Sequence, residues 1–177
     1  MRCDIIKAPF VKMKKGAIFY PGTFDPITYG HIDLIERVSK IFNEVVIVVM
    51  KNIKKRPLFT IEERLDMIKN CVSNIPNVSL DTHAGLLIDY VKRTGINVVL
   101  RGLRAVADFD YEFQMALANK QLCGDIETIF LMTNPKYSFI SSSLVKEIAA
   151  MGGNLDPWVP EYVKRKLLEK LGGRERE

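Results

Sequence analysis

An alternation between short apolar runs and segments of helical periodicity constrains the fold more than any other feature of this chain. The apolar runs are rich in β-branched and aromatic residues, which is typical of strands buried on both faces. They occupy Ala17–Tyr20, Val45–Met50, Val78–Leu80, Val98–Leu100 and Ile129–Met132. The alternation predicts an α/β fold with a doubly wound, five-stranded parallel sheet.

The segments between the apolar runs have the marks of helices. Residues 31–42 place apolar side chains on one stripe, and Thr60-Ile-Glu-Glu63 is a capping box that opens a second helix. Further helices are predicted at 86–93, from Ala105 to about Cys123, from Ser142 onward and from Pro160 to 171. In such a fold, ligands bind beyond the carboxyl ends of the strands, near the point where the strand order reverses.

Length and composition bound the organisation of the chain. With 177 residues, of which 47% are hydrophobic and 27% charged, the chain suits one globular domain with a single core. We predict this domain at 16–171, between a basic extension at 1–15 and a frayed tail at 172–177. No apolar run approaches the roughly 18 residues of a membrane span or has the length of a signal peptide, so we expect no membrane partner.

Cysteine content and charge exclude further classes. The three cysteines, Cys3, Cys71 and Cys123, include no Cys-x-x-Cys pair, which argues against a disulfide framework or a zinc site and predicts a cytoplasmic protein. The net charge is +5, but most of it comes from residues 1–15, so the rest of the chain is nearly neutral. A basic terminal segment is more often solvated than bound to nucleic acid. We therefore expect no nucleic-acid partner.

The segment after the first strand is rich in residues that turn the chain and donate hydrogen bonds. Pro21-Gly-Thr-Phe-Asp-Pro26 forces a turn, and Thr28-Tyr-Gly-His31 follows at the mouth of a helix. A helix N-terminus suits a phosphate, since it offers unpaired N–H groups and the positive end of a dipole. His31 adds ring donors, and Thr23 and Thr28 add hydroxyls. Alternatively, the segment only shapes a turn and His31 caps or packs, but the cluster favours phosphate binding.

Two arginines follow the fourth strand. Arg101 and Arg104 flank Gly102, so two guanidinium groups lie beside a backbone that a ligand can approach closely. Arginine is well suited to bidentate phosphate contacts. The alternative is that both arginines pair with Asp108, Asp110 or Glu112. Because Arg101 ends a strand at the same sheet edge as His31, we favour a role in binding.

Two further loops at this edge carry donors or cations. Tyr137-Ser-Phe-Ile-Ser-Ser-Ser143 opens a helix, and Lys54-Lys-Arg-Pro57 follows the second strand. Capping alone is the alternative for the serines, and solvation is the alternative for the cations. The sequence has no cluster of metal ligands, no Ser-His-Asp set that can be ordered and no Walker loop. It therefore predicts a polyphosphate site for direct phosphoryl or nucleotidyl transfer.

These motifs resemble those of the bacterial phosphopantetheine adenylyltransferases, which belong to a nucleotidylyltransferase superfamily with a Thr/His-x-Gly-His signature. The resemblance covers roughly Ala17 to Leu171, and Leu100–Glu112 and Ser138–Glu147 are its most specific parts. It implies a Rossmann-like nucleotidylyltransferase fold with C-terminal helices. It also implies adenylyl transfer from ATP to 4′-phosphopantetheine, assisted by Mg²⁺, in a homohexamer that coenzyme A inhibits.

The resemblance further implies roles for individual residues. His31 would contact the ATP phosphates and stabilise the transition state, Thr23 would touch both substrates, and Phe24 would contact ATP through its backbone. The other implied ATP contacts are Gly102, Leu103, Arg104, Glu112, Tyr137, Ser138, Phe139, Ile140, Ser141, Ser142 and Ser143. The other implied phosphopantetheine contacts are Lys55, Leu87 and Arg101.

The chain departs from the family pattern at three places. Residues 1–14 exceed the usual start, and the cations at 54–56 stand where a Lys-Lys pair is usual. Either Lys54 or Lys55 is therefore the substrate contact. His83 replaces an aromatic residue, so it either packs or lines the pantetheine pocket. The alternative functions are a sibling enzyme acting on another phosphate, such as nicotinamide mononucleotide or glycerol 3-phosphate, and a non-catalytic nucleotide-binding protein.

Overall fold

The computed structural model describes residues 16–51 and 56–172. Strands and helices alternate up to the fifth strand, as the sequence predicts. The strands are β1 (Ala17–Gly22), β2 (Glu44–Lys51), β3 (Val78–Ala84), β4 (Val98–Leu103) and β5 (Glu127–Met132). The helices are α1 (Tyr29–Ser39), α2 (Ile61–Val72), α3 (Leu87–Thr94), α4 (Val106–Leu122), α5 (Ser142–Ala150) and α6 (Glu161–Leu171), with a short 3₁₀ helix at Pro135–Tyr137. The predicted basic extension and most of the predicted tail lie outside the described residues.

The strands form one parallel sheet in the order β3-β2-β1-β4-β5. The chain moves outward from β1 through β2 to β3 and then returns to place β4 on the other side of β1, so the strand order reverses between β1 and β4. This order confirms the predicted doubly wound sheet. Gly22 lies beside Val49, and Leu103 lies beside Met132, so the strand ends meet at one edge. The reversal point at that edge is where folds of this class bind ligands.

Alternate residues of the central strands form hydrophobic layers on the two faces of the sheet. In β2, Val45, Ile47 and Val49 face a layer built with α1, α2, α5 and α6. Val46 and Val48 face a smaller layer that includes residues of α3. Burying one such side chain contributes about 1.5–3 kcal/mol. Because both faces are covered, the strands are continuous apolar runs in the sequence.

β1 runs through Pro21 to Gly22, beyond its predicted end at Tyr20. Proline has no N–H to give to a strand ladder. The carbonyl of Pro21 accepts a hydrogen bond from Arg101 Nη1 at 3.3 Å, so its backbone faces β4. On that side, β1 pairs with β4 only through Phe19 and Val99. The strand therefore needs no N–H at position 21. Proline does not end β1, and the end predicted at Tyr20 was wrong for this reason.

Local signals set several helix ends as predicted. Glu63 N–H donates to Thr60 Oγ1 at 3.2 Å and Thr60 N–H donates to Glu63 Oε2 at 2.7 Å, which completes the capping box of α2. Helix α3 ends at Gly95, whose φ of +72° costs glycine little. In the two ranges that the structure describes, none of the helices has both the length and the apolar character needed to cross a membrane.

Candidate active site

The segments that leave β1, β4 and β5 converge at the carboxyl edge of the sheet. β1 and β4 are neighbours at the reversal point, and β5 lies next to β4. The predicted ligand-binding residues of these segments are Thr23, Phe24, His31, Arg101, Gly102, Leu103, Arg104 and Tyr137 to Ser143. The topology therefore brings most of the predicted site together.

His31 is oriented by the residue that precedes α1. The backbone N–H of Thr28 donates to His31 Nδ1 at 3.1 Å, and Thr28 Oγ1 lies 3.0 Å from the same nitrogen. A ring nitrogen that accepts an amide hydrogen carries no hydrogen of its own, so the neutral imidazole is protonated on Nε2. Thr28 is buried. Its hydroxyl therefore orients His31, whereas the sequence suggests that it donates to a phosphate.

The surroundings of His31 keep its ring neutral. Burial, and to a smaller extent the charge of Arg104, lower its pKa from 6.5 to about 4. The ring packs edge-on against Phe24, with the ring centroids 5.1 Å apart, and the centroid of Tyr20 lies 6.3 Å away. A neutral imidazole with hydrogen on Nε2 can donate to a negative oxygen. At the start of α1 this donor adds to the positive end of the helix dipole.

Phe24 holds the loop between β1 and α1 in an uncommon conformation. Its φ is +49°, in the left-handed region that side chains disfavour. Such a conformation persists only where neighbouring contacts fix it. Here the carbonyl of Thr23 accepts from Arg64 Nη1 at 2.8 Å, and the carboxylate of Asp25 accepts two amide hydrogens from the segment before α2. The backbone on both sides of Phe24 is thus anchored.

Arg101 forms a bidentate ion pair with Glu112 of α4. Its Nε and Nη2 lie 2.5 and 2.7 Å from the two carboxylate oxygens. Burial lowers the pKa of Arg101, but the hydrogen bond and charge of Glu112 outweigh burial and raise the pKa above its ordinary value. Glu112, which the resemblance assigns to ATP, therefore contacts a residue that the resemblance assigns to phosphopantetheine.

Arg104 pairs with Asp108 in the first turn of α4. Its Nε and Nη2 lie 3.1 and 3.0 Å from the carboxylate oxygens, and its backbone N–H donates to Oδ2 at 3.0 Å. Its Nη1 reaches the carbonyl of Ile140 at 3.5 Å, which links β4 to the segment after β5. Both arginines thus form ion pairs, as the alternative reading of the sequence predicts. Their charge still reaches the site, since Arg104 helps to lower the pKa of His31.

Gly102 lies against the side chain of Leu34 where α1 packs on β4. A Cβ at this position would collide with Leu34 Cδ1 and would lie 3.4 Å from the hydroxyl oxygen of Tyr20. In the structure, the close approach at this glycine is made by a side chain of α1, and the contact of Gly102 with a ligand stays a prediction. The next residue, Leu103, is buried, and its carbonyl accepts from Thr133 N–H at 2.8 Å.

The serines after β5 mostly bond within the protein. These bonds are Ser138 Oγ to Pro135 O at 2.9 Å, Leu144 N–H to Ser141 Oγ at 3.1 Å, and Ser142 Oγ to Pro26 O at 2.8 Å. Ser141 is the N-cap of α5, whereas Ser143 is exposed. The bond from Ser142 joins this segment to the loop between β1 and α1. The two loops are therefore neighbours, as predicted.

Aromatic residues accompany these serines. Tyr137 stacks on Tyr29 with the ring centroids 5.9 Å apart, and Tyr29 N–H donates to Trp158 O at 2.9 Å. One amide at the start of α1 is therefore engaged, so this helix start offers a ligand fewer donors than the sequence suggests. Phe139 is exposed, with its ring centroid 6.5 Å from that of Trp158, whereas Ile140 is buried.

The predicted phosphopantetheine contacts lie further along the edge. Leu87 is half-buried at the start of α3 and follows β3, which is two strands from β1. Lys55 lies outside the described residues, as does the lysine before it. The ring of His83 packs against Tyr90, with centroids 5.6 Å apart, and its Nε2 lies 2.9 Å from Leu86 O. These contacts support packing as the role of His83.

Sequence reasoning missed three charged residues that organise the site, namely Asp25, Arg64 and Lys146. Asp25 and Arg64 are buried, and Lys146 Nζ lies 2.5 Å from Asp25 Oδ2. A signal was present for Arg64, because it shares a helical stripe with the apolar residues Met67 and Ile68. A cation on such a stripe indicates a buried role. From the sequence, Asp25 is recognisable only as part of a turn.

Comparison with known proteins identifies the family of this chain. A family model described as cytidylyltransferase-like matches residues 19–148. The phosphopantetheine adenylyltransferase of Dictyoglomus thermophilum is 54% identical over 153 residues, which cover 86% of this chain and 93% of that protein. The protein of the same name from Dictyoglomus turgidum is 55% identical over 152 residues, which cover 86% of this chain and 95% of that protein. The one from Thermotoga neapolitana is 52% identical over 152 residues, which cover 86% of this chain and 94% of that protein.

A solved structure extends the comparison to the fold. Plasmodium falciparum nicotinic acid mononucleotide adenylyltransferase complexed with APC superposes with a TM-score of 0.62 over 89% of this chain and 96% of that one. At 15% identity this likeness shows the fold alone, and it confirms the predicted nucleotidylyltransferase fold. Since identity to the bacterial relatives exceeds one half over most of the chain, this protein belongs to the phosphopantetheine adenylyltransferase family.

Proposed function

We propose that this protein transfers the adenylyl group of ATP to 4′-phosphopantetheine and releases pyrophosphate. The product is dephospho-coenzyme A, an intermediate of coenzyme A biosynthesis. The observation that carries the proposal is the 54% identity to a phosphopantetheine adenylyltransferase over 86% of the chain. The position of the Thr-x-Gly-His segment beside the reversal point of the sheet supports it.

The proposed reaction needs no covalent intermediate on the protein. An oxygen of the 4′-phosphate attacks the α-phosphorus of ATP, in line with the bond to the oxygen that bridges to the β-phosphorus. That bond breaks, and pyrophosphate leaves with its electrons. Catalysis then consists of positioning the two phosphates and of stabilising the negative charge that develops between them.

We assign the main stabilising role to His31. Thr28 engages Nδ1, which leaves the hydrogen on Nε2 to be donated to a phosphate oxygen. The low pKa keeps the ring neutral at pH 7, so it acts as a dipolar donor. Its orientation is set before substrate binds, so no reorganisation is needed when charge develops.

The two substrates are assigned to the two sides of the loop that carries Thr23. ATP would lie along the Phe24 backbone, residues 102–104 and residues 137–143. Phosphopantetheine would lie toward Arg101, Leu87 and Lys55. Glu112 engages Nε and Nη2 of Arg101, whereas Nη1 has only a 3.3 Å bond to a carbonyl. Glu112 can therefore hold the guanidinium group in place while Nη1 donates to a phosphate.

Magnesium enters this proposal with the substrate, as MgATP. Among residues 16–51 and 56–172, no group of three His, Cys, Asp or Glu side chains is arranged to hold a metal ion. The carboxylates of Asp25, Asp108 and Glu112 each pair with a cation of the protein. We therefore propose that phosphate oxygens and water supply most ligands of the ion, as is usual for Mg²⁺ at nucleotides.

We also propose that the protein forms a homohexamer with α4 in an interface. In this single chain α4 has no buried residue. Its apolar side chains remain exposed along the whole helix, from Val106, which is 85% exposed, to Leu122. Monomeric proteins rarely leave a continuous apolar surface of this kind in contact with water. A protein partner for α4 is therefore expected.

Two further proposals concern inhibition and location. Coenzyme A contains the chemical groups of both substrates in one molecule, so we propose that it competes for the same site as a feedback inhibitor. We propose a cytoplasmic location because Cys71 and Cys123, in the described part of the chain, are free thiols. Free thiols persist in reducing compartments.

The test is pyrophosphate release from MgATP with 4′-phosphopantetheine, with nicotinamide mononucleotide and glycerol 3-phosphate as parallel acceptors. We expect release with 4′-phosphopantetheine alone. Release with another acceptor instead would favour a sibling nucleotidylyltransferase. Release with none of them, from folded protein that binds ATP, would favour a non-catalytic nucleotide-binding protein. The His31→Ala variant, prepared in the same way, controls for contaminating enzymes.

A further inference from the structure

A buried carboxylate connects three parts of the chain around the site. Asp25 is only 4% exposed, and it follows Phe24 in the loop between β1 and α1. Its Oδ1 accepts from Phe59 N–H at 2.9 Å, and its Oδ2 accepts from Leu58 N–H at 3.0 Å and from Lys146 Nζ at 2.5 Å. The donors come from the segment before α2 and from α5, which are far from Asp25 in the sequence.

The carboxylate stays ionised in this position. Burial raises the pKa of Asp25, but the hydrogen bonds from Lys146 and the two amides outweigh burial and hold the pKa below its ordinary value. A buried charge without such partners would destabilise the fold strongly. The chain therefore keeps a charge-assisted contact where a neutral turn residue would suffice to connect β1 to α1.

Two neighbours of Asp25 are anchored as well. Arg64 is buried and donates to Thr23 O at 2.8 Å and to Thr60 O at 3.2 Å. Ser142 Oγ donates to Pro26 O at 2.8 Å. Phe24 lies between these anchors, with its φ of +49° and its ring against His31. Release of the anchors would let Phe24 relax and would change the packing on one side of the imidazole, which Thr28 holds only at Nδ1.

We propose that Asp25 and Lys146 form a positioning pair for adenylyl transfer, which fixes the loop carrying Thr23 and Phe24 against α5. Neither side chain needs to touch the reacting atoms. Asp25 acts on His31 through Phe24, and Lys146 acts on the serines at the start of α5 through the helix itself. Because the pair acts on the reaction proposed above, its effect on turnover depends on that function being correct.

Three variants test the pair. Asp25→Asn keeps the shape of the side chain but removes its charge. Lys146→Met removes the charge of its partner, whose side chain is the less buried of the two. Arg93→Met is the control, because Arg93 Nη2 forms an ion pair with Asp81 at 2.9 Å between α3 and β3, away from the loop and from the residues that bond to Asp25. We expect the first two variants to lower kcat about tenfold to a hundredfold, as misplacement by about 1 Å does. Their KM values should change less than threefold (~0.6 kcal/mol), and the control should retain its kcat.

The double variant separates positioning from two independent effects. If the residues act as a pair, Asp25→Asn with Lys146→Met should lose no more kcat than the worse single variant. Losses that multiply, or a kcat of Asp25→Asn within twofold of the natural chain, would overturn the inference. All rates are measured well below the unfolding temperature of each variant, which circular dichroism defines.

A readout without turnover keeps the two proposals distinguishable. The imidazole signals of His31 in NMR spectra should shift in Asp25→Asn and Lys146→Met but stay unchanged in Arg93→Met. If the natural chain releases no pyrophosphate with 4′-phosphopantetheine, the proposed function fails and these signals still decide whether the pair positions His31. Unchanged His31 signals in both test variants would overturn the pair by themselves.

Discussion

The backbone N–H of Thr28 donates to Nδ1 of His31 at 3.1 Å, and this bond determines which ring nitrogen His31 can offer to a ligand. The donor is an amide, which cannot lose its hydrogen, so Nδ1 must accept. Nε2 then carries the hydrogen. The helix cap and the candidate catalytic residue are thus one structural unit, which makes the tautomer of His31 a property of the fold.

We predict that His31 titrates near pH 4 in the ligand-free protein, below its ordinary pKa of 6.5. Burial disfavours the charged imidazole, and Arg104 adds repulsion. Because the unfolded chain then binds more protons between these two pH values, stability should fall as the pH drops from 6.5 towards 4. NMR titration of the ring protons measures the midpoint directly.

The titration has an internal reference, since His31 and His83 are the histidines of the chain. The His83→Asn variant removes one set of signals and so assigns the other. Nitrogen shifts typical of hydrogen on Nε2 should accompany the low midpoint. A midpoint near 6.5, or hydrogen on Nδ1, would contradict the geometry described for Thr28.

The second prediction concerns turnover. His31→Ala should lower kcat about 10²–10³-fold, the range found when one preorganised donor to a transition state is removed. The fold should survive, because His31 lies in the first turn of α1 and its removal costs one hydrogen bond of the helix cap. His83→Asn is the matched histidine control, since His83 packs against Tyr90. An unchanged kcat in His31→Ala would remove the role assigned to it.

The third prediction separates the two substrates. Arg101→Ala should raise the KM for 4′-phosphopantetheine about tenfold to a hundredfold, the cost of losing one hydrogen bond to a charged group. Arg104→Ala should act mainly on the KM for ATP, because Arg104 reaches the segment after β5. Initial rates with each substrate varied in turn distinguish the two effects. The opposite pattern would mean that the two pockets are exchanged.

The fourth prediction concerns stability. Gly102→Ala should lower the free energy of unfolding by about 1–3 kcal/mol, since the added methyl group would overlap Leu34 in a packed core. Gly124→Ala is the control, because a Cβ there meets nothing within 4 Å. Urea unfolding of both variants measures the difference. Equal stabilities would show that α1 shifts away from β4 at little cost.

The fifth prediction concerns assembly. Leu117→Glu on α4 should reduce the mass measured by light scattering during size-exclusion chromatography, because a charge in an apolar interface is costly. Ile41→Glu, in the turn after α1, is the control, since the two side chains have similar exposure, 55% for Leu117 and 51% for Ile41. A mass that falls equally in both variants, or in neither, would exclude α4 as the interface.

The fold was largely readable from the sequence because its strands are covered on both faces. Such strands appear as continuous apolar runs, and the predicted runs at Val45–Met50 and Val98–Leu100 fall within β2 and β4. The order of the strands along the chain also places the loops that carry His31 and Arg101 at one edge of the sheet, because the carboxyl ends of parallel strands share an edge. The end of β1 was not readable, because it depends on which neighbour faces Pro21.

The partners of the charged residues could not be predicted from spacing. Three carboxylates lie within reach of Arg101, and the rotation of α4 on the sheet selects Glu112. The roles of Asp25 and Lys146 depend on a contact across 121 positions of the sequence. No local pattern encodes a contact of that range, so it appears only once the chain is folded.

The close packing of Leu34 on Gly102 also restricts the order in which this site can change during evolution. Leu34 lies one turn after His31 on α1, and Gly102 lies between Arg101 and Arg104. A smaller residue at 34 can be accepted first and then makes room for a side chain at 102. The reverse order passes through an overpacked intermediate. A side chain at position 102, between the two arginines of the site, is therefore accepted most easily after a change at position 34 in the hydrophobic core.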